Sequence, residues 1–252
     1  LEAAAGGAGG AGLNITDVFS TYLYEGNGSA RTITNGIDLA TEGGLWWSKQ
    51  RTSTGNHTLF STARGANRFL NTNTTGVDSA GGSDYISFNT DGISILSGAN
   101  SGNSGWNTSY QDYTSWTFRK AKKFFDVVTY TGNSVTTAIS HDLGSTPGMI
   151  LVKRTDTAAA WTVYHRSNTA APETDYLVLN TTAATADYNG MWGDTAPTDT
   201  HFTVGNALET NASPGTYIAY LFAHNNSDGE FGPDSDQDII KCGSFPWGST
   251  SG

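Results

Sequence analysis

The chain has 252 residues and a formal net charge of −10, from 13 basic and 23 acidic side chains. That balance argues against a nucleic-acid partner, because phosphate binding needs a clustered basic face, and no run of about 18 apolar residues exists to insert into a membrane. One cysteine, Cys242, excludes an intrachain disulfide framework and thiolate metal chemistry.

From the start, Leu1 to Gly12 is an Ala/Gly tract without the basic and apolar regions of a signal peptide, and residues 1–16 read as a flexible leader. The absence of an initiating Met and the Gly/Ser end at 248–252 suggest a piece of something longer. Strand signals follow closely: Val18 to Tyr24, Ala30 to Ile33, Leu45 to Lys49, Thr58 to Thr62, Arg68 to Asn71, Tyr85 to Asn89, Ile93 to Leu96 and Thr114 to Arg119. Turn residues separate them, with Gly26-Asn27-Gly28 closing a hairpin and Asn89-Thr90-Asp91-Gly92 expected as a type I′ turn. A second series covers Val127 to Tyr130, Ala138 to His141, Met149 to Arg154, Thr162 to Arg166, Tyr176 to Asn180, Phe202 to Val204 and Thr216 to Phe222. Ile239 to Phe245 looks like one further opening strand.

The two series are copies. Val127 to Ser134 echoes Ser20 to Ser29, and the steps from Lys49 to Lys153 and from Phe118 to Phe222 are both 104 residues. A period of that size is a domain, not a solenoid unit. The expected fold is therefore all-β, with two tandem antiparallel β-sandwich modules of jelly-roll or concanavalin-like type at 17–125 and 126–238. Residues 239–252 would form the start of a third repeat or a C-terminal strand. Phe124-Phe125-Asp126 carries no Gly or Pro at the junction, which predicts rigid packing of the two modules.

Chemistry is sparse. The five histidines show no metal-ligand spacing, and no nucleophile elbow or phosphate loop is present. Arg51, His57 and Arg64 could form a polar pocket for an anionic or sugar ligand, with Trp161, His165 and Arg166 near Arg154 in the second copy. The competing reading has each Arg bridging a carboxylate or turn carbonyls inside the sandwich, and retention of such residues in both copies favours it. Asp84, Asp91, Glu173 and Asp175 lie beside turn residues and read as solvated acids instead of a glycosidase pair. Asp234, Asp236 and Asp238 have calcium-like spacing without the Gly and closing Glu of an EF-hand, so the expectation is no cofactor, with Ca²⁺ at that run as the one candidate. The basic run Arg119 to Lys123 reads as a solvated strand end.

Among the aromatic residues, Trp46, Trp47, Trp106, Trp161, Trp192 and Trp247 are candidates for stacking on sugar rings, and most are expected in the core. Trp106, beside the Gly-rich 98–105 loop, is the surface candidate. Trp47 alternates with Trp46, so the two should face opposite ways. The ligand-binding candidates are thus Trp106, Trp47, Arg51, His57 and Arg64. Eight Asn-x-Ser/Thr sequons fit chance in a chain rich in these residues.

Asp17 to Ser29, Trp47-Ser48-Lys49-Gln50-Arg51 followed by His57 and Thr62-Ala63-Arg64-Gly65, Trp116 to Gly132, and Ile139 to Ile150 resemble repeated domains of uncharacterised virion proteins of marine phages, cyanophages and pelagiphages among them. The resemblance runs from Asp17 to Gly252, and members often continue past the Cys242-Gly243-Ser244 strand. It implies a non-enzymatic structural protein at the virion surface, tail-fibre-like, with other virion proteins as partners. A homo-oligomer such as a trimer and a host surface glycan are further expected partners. Capsid decoration is the alternative within that class; a lectin or polysaccharide-degrading enzyme of concanavalin-like fold is the alternative outside it.

Overall fold

The computed structural model describes residues 12–81, 83–96 and 105–245. Most of the leader expected at 1–16 and Trp247 therefore lie outside the described residues. The chain is nearly all β, in several antiparallel sheets, with two single helical turns among the described residues, α1 (Ile15–Val18) and α2 (Asn189–Trp192). In the first half the strands are β1 (Phe19–Glu25), β2 (Arg31–Thr34), β3 (Gly44–Gln50), β4 (His57–Ser61), β5 (Arg68–Asn71), β6 (Ser79–Ala80), β7 (Ile86–Asn89), β8 (Gly92–Ile95) and β9 (Asp112–Arg119). In the second they are β10 (Phe125–Thr131), β11 (Thr137–Ser140), β12 (Met149–Arg154), β13 (Trp161–His165), β14 (Asp175–Val178), β15 (Ala186–Asp187), β16 (His201–Val204) and β17 (Thr216–Phe222).

Strand order repeats. The first half holds a six-stranded sheet, β1-β9-β3-β4-β5-β6, and a small sheet, β2-β8-β7; the second holds β10-β17-β12-β13-β14-β15 and the pair β11-β16. Register repeats as well: Leu45 pairs with Phe118 and Ser61, and Met149, 104 positions on from Leu45 (149 − 45), pairs with Phe222 and His165. Alternation explains the layering, since successive side chains leave opposite faces of a strand. Trp46 enters a cluster with Ile33, Leu39, Phe60, Ile93 and Tyr113, between the large and small sheets of the first half. An equivalent cluster in the second half gathers Val152, Tyr164, Trp192, Phe202, Tyr217 and Leu221.

Much of the other face of each large sheet is covered by the other half. Leu45, Leu59 and Leu70 join Leu151, Val163, Ile218 and Phe222 in a third cluster shared by both halves, with Trp47 and Phe118 packed against it. Phe118 and Phe222 hold the same position in the two copies, and their rings touch edge to face with centroids 5.5 Å apart. A residue meeting its own counterpart is the signature of an isologous contact, here made within one chain. The junction is buried in this seam: Phe124 and Phe125 lie inside it, and the carboxylate of Asp126 accepts from the Val127 and Asp142 amides and pairs with Lys120 at 2.8 Å.

Two local expectations need correcting. Asn89 and Gly92 do close a hairpin, but the positive φ falls on Gly92 (144°) and on neither central residue, so the turn is not type I′. Gly92 is required because a Cβ would strike the Ile33 carbonyl on the neighbouring strand. Residues 239–245 form no strand: the Cys242 amide donates to His224 Nδ1 at 2.9 Å and Ser167 Oγ donates to the Cys242 carbonyl, so side chains hold this segment in place of a ladder.

Candidate functional site

The five ligand-binding candidates do not converge. Trp106 is buried, at 1% exposure, and its ring meets Phe60, Phe69 and Tyr85 edge-on at centroid distances of 5.1, 5.3 and 5.6 Å. The expectation of a surface stacking platform fails there, because these three rings enclose the indole within the core of the first half. Its carbonyl accepts a 2.6 Å bond from the Tyr24 hydroxyl. Trp161 and Trp192 are likewise core residues. Arg51 is exposed in the β3–β4 turn, where its backbone N–H donates to the Asp112 carbonyl at 2.7 Å.

Trp47 and His57 do come together. Trp47 Nε1 donates to His57 Nδ1 at 3.2 Å, which places the proton of the neutral imidazole on Nε2. Burial, then the charge of Lys49, lowers the His57 pKa from its ordinary value. Both belong to the seam side of the first sheet; the pair packs, with Trp116 edge-on to Trp47 at 5.8 Å.

Arg64 is the best-built of the five. Its side chain is 4% exposed and spends every nitrogen within the fold: Nη1 on the Asp78 carboxylate, Nε on Ser61 Oγ at 3.2 Å, and Nη2 on the Leu59 carbonyl at 3.0 Å. Arg68 reaches the second Asp78 oxygen at 3.3 Å. The Asp78 amide donates to the Thr155 carbonyl of the other half at 2.9 Å, so this ion pair sits at the seam. A cleft of about 250 Å³ opens there, bounded by Arg64 and Asp78 on one side and by Tyr130, Thr155, Thr216 and Tyr217 on the other. The Arg154 guanidinium, paired with Asp156 at 2.8 Å, stands 5.8 Å over the Tyr217 ring. With Asp78 neutralised on both oxygens, the cleft offers hydroxyls and aromatic edges to a ligand, not an activated acid or base.

Sequence reasoning missed three buried polar devices. Lys153 is fully buried, and its ammonium donates to the carbonyls of Thr75, Arg154 and Ala159 at 3.3, 2.8 and 3.0 Å, tying the two halves together. Burial, then Arg154, pushes its pKa down to about 8. Asn107 and Asn211, both 1% exposed, each lock a β-turn: Asn107 exchanges bonds with Asn27 at 3.1 and 2.9 Å, Asn211 with Asn133 at 3.0 and 3.1 Å. The repeated Gly-Asn turns could have pointed to them; Asp78, in Gly76-Val77-Asp78-Ser79, carries no comparable signal. As both locking asparagines head sequons, neither sequon has an accessible acceptor.

The remaining charged candidates are dispersed. Arg119, Lys120 and Lys123 pair with Glu42, Asp126 and Asp228 at 3.3, 2.8 and 3.3 Å, so three members of the basic run are held in ion pairs. Asp84 and Asp91 are exposed, and Asp175 accepts from Thr169. Asp234 and Asp236 are exposed as well, and no group of three His, Cys, Asp or Glu side chains able to hold a metal ion occurs among the described residues.

Neither the curated proteins nor the solved structures contain a match to this chain. A family model described as a domain of unknown function, DUF7483, matches residues 14–233, a span that takes in both copies and the seam between them. The match covers most of the chain, which belongs to the DUF7483 family.

Proposed function

We propose that this protein is a structural component of a phage particle, a tail fibre or other appendage made of two tandem β-sandwich modules, acting by contact instead of catalysis. The observation that carries the reading is where the buried charge goes. Arg64 with Asp78, Lys153 with three carbonyls, and Asp126 with two amides and Lys120 all hold strands and halves together. Burial also raises the Cys242 thiol to about 11, which makes it a poor nucleophile. The residue phrases from Asp17 onward that resemble marine-phage virion proteins favour a location at the virion surface. Antiparallel strands joined by Asn-, Thr- and Gly-rich loops suit a rigid rod segment whose loops touch other virion proteins or a host glycan. Homo-oligomers, a trimer among them, would multiply weak contacts into avidity.

Electron microscopy of particles labelled with antibody against this chain tests the proposal, with label expected along the tail or its fibres. Label over the head would make it a capsid decoration protein. Release of reducing sugar from host polysaccharide by the purified chain would refute the non-catalytic reading.

A further inference from the structure

A second concavity lies away from the seam, at the end of the second half where three loops meet. Its volume is about 320 Å³, at the lower end of the roughly 300–1,000 Å³ typical of small-molecule sites. Pro147, Pro172 and Pro197 form its walls, one from each loop, so the walls are apolar and conformationally stiff. Polar groups converge inside: Tyr164, Arg166, Glu173 and Asn226.

Arg166 is held ready. Its Nη1 donates to Asn226 Oδ1 at 2.6 Å, while Asn226 Nδ2 is anchored on Ser145 Oγ at 2.9 Å and the Thr146 carbonyl at 3.1 Å. The rest of the guanidinium fork has no partner among the described residues. Tyr164 is 5% exposed, yet its hydroxyl has no hydrogen-bond partner among the described residues, and neither does the Glu173 carboxylate. The phenol oxygen is not sealed in the core but opens on the concavity, free to take a partner from it. Its pKa is pushed up to about 12 by burial and then by the Glu173 charge, so it is a neutral donor at any ordinary pH.

The duplication provides an internal comparison. Phe60 occupies the position of Tyr164 in the first copy, filling its place in the core against Phe69 and Trp106, and Thr62 stands where Arg166 does. The scaffold therefore tolerates an apolar ring at this point. The hydroxyl and the guanidinium are thus additions of the second copy.

We propose that this pocket binds one neutral pyranose unit, with Arg166 and the Tyr164 hydroxyl donating to ring substituents, Glu173 accepting from a pair of hydroxyls, and the proline walls meeting the apolar edge of the ring. The mixture fits that class. A bare anion would be repelled by Glu173, a cation by Arg166, and an apolar ligand would leave three polar groups unpaired. The inference rests on the contact-making role proposed above and names the glycan chemistry at one end of the molecule.

The test is titration of the 252-residue chain with the methyl glycosides of glucose, galactose and mannose, followed by calorimetry and by the NMR signal of the Trp192 indole N–H. That ring meets Tyr164 edge-on at 6.0 Å and reports occupancy without any substitution. Binding of at least one glycoside with a shift of that signal is expected. Tyr164→Phe and Glu173→Gln should each weaken it about tenfold, the usual effect of losing one hydrogen bond to a buried polar partner. Tyr164→Phe installs the ring the first copy already carries and Glu173→Gln keeps its shape, so melting temperatures should stay close to that of the unmutated chain. No shift with any of the three sugars overturns the proposal, as does full binding by either variant. Particles that carry the label at the tail while the chain ignores all three sugars would refute the pocket and leave the virion role standing.

Discussion

At the level of single residues, the informative side chains are charged ones removed from water. Removing Arg64 would strand Asp78, 6% exposed, with only the peripheral Arg68 beside it. Arg64→Ala should therefore cost about 3 kcal/mol, the low end for breaking a buried pair, measured by urea unfolding. Four histidines, His57, His141, His165 and His224, have pKa values lowered by burial. As pH falls below the ordinary histidine value of 6.5, the unfolded chain takes up protons that the folded chain still refuses, so stability should fall from about pH 6.5 downward. Urea midpoints at pH 7.5 and 5 check this, and His57→Gln should flatten the slope. Lys153 works at the other end of the scale. Its folded pKa of about 8 lies below the ordinary 10.5, so its contribution to stability should rise between those values as the folded chain sheds a proton the unfolded chain keeps. A Lys153→Met comparison across that window isolates it; equal slopes in the two proteins would contradict the assignment.

Among elements, the turn after β1 and its copy after β10 show how a short segment is fixed. Asn211 Nδ2 donates to Asn133 Oδ1, the Val135 carbonyl and the Gly205 carbonyl, the last two at 2.7 and 2.6 Å. Truncation leaves the buried Gly205 carbonyl without this donor and frees the turn at Asn133, so Asn211→Ala should cost about 1–3 kcal/mol by chemical denaturation. Beside it, Tyr130 stacks on Tyr217 at 5.2 Å as Tyr24 stacks on Tyr113 at 5.1 Å. These elements were legible from sequence because strand and turn chemistry is local: Arg68–Asn71, Met149–Arg154 and Thr216–Phe222 fall where period and punctuation place them. What escaped was non-local. Trp106 follows a glycine-rich stretch and reads as exposed, but its burial depends on Phe60, Phe69 and Tyr85 arriving from other strands. Tyr164 and Glu173 gave no signal of meeting, since the pocket that joins them is made by loops from three parts of the chain.

For the whole molecule, the decisive feature is the seam. The shared cluster draws Leu45, Leu59 and Leu70 from one half and Leu151, Val163 and Phe222 from the other, so neither half can lose structure without exposing its neighbour. Thermal unfolding should be a single cooperative transition by circular dichroism and calorimetry, and Phe222→Ala should lower stability by about 3–5 kcal/mol in that one step. Two resolved transitions would show the halves to be independent. A chain limited to residues 124–245 would bare the face around Phe222 and is expected to pair with itself, which sedimentation would detect as a dimer.

Covalent linkage of two self-complementary partners also changes what evolution can do with them. In an association of identical subunits every substitution appears twice, so a residue useful on one side is imposed on the other. Fusion ends that obligation, and one copy can keep Phe60 as inert filling while its twin experiments with a phenol at Tyr164. Asymmetry of chemistry on a symmetric frame is what the joined seam makes available.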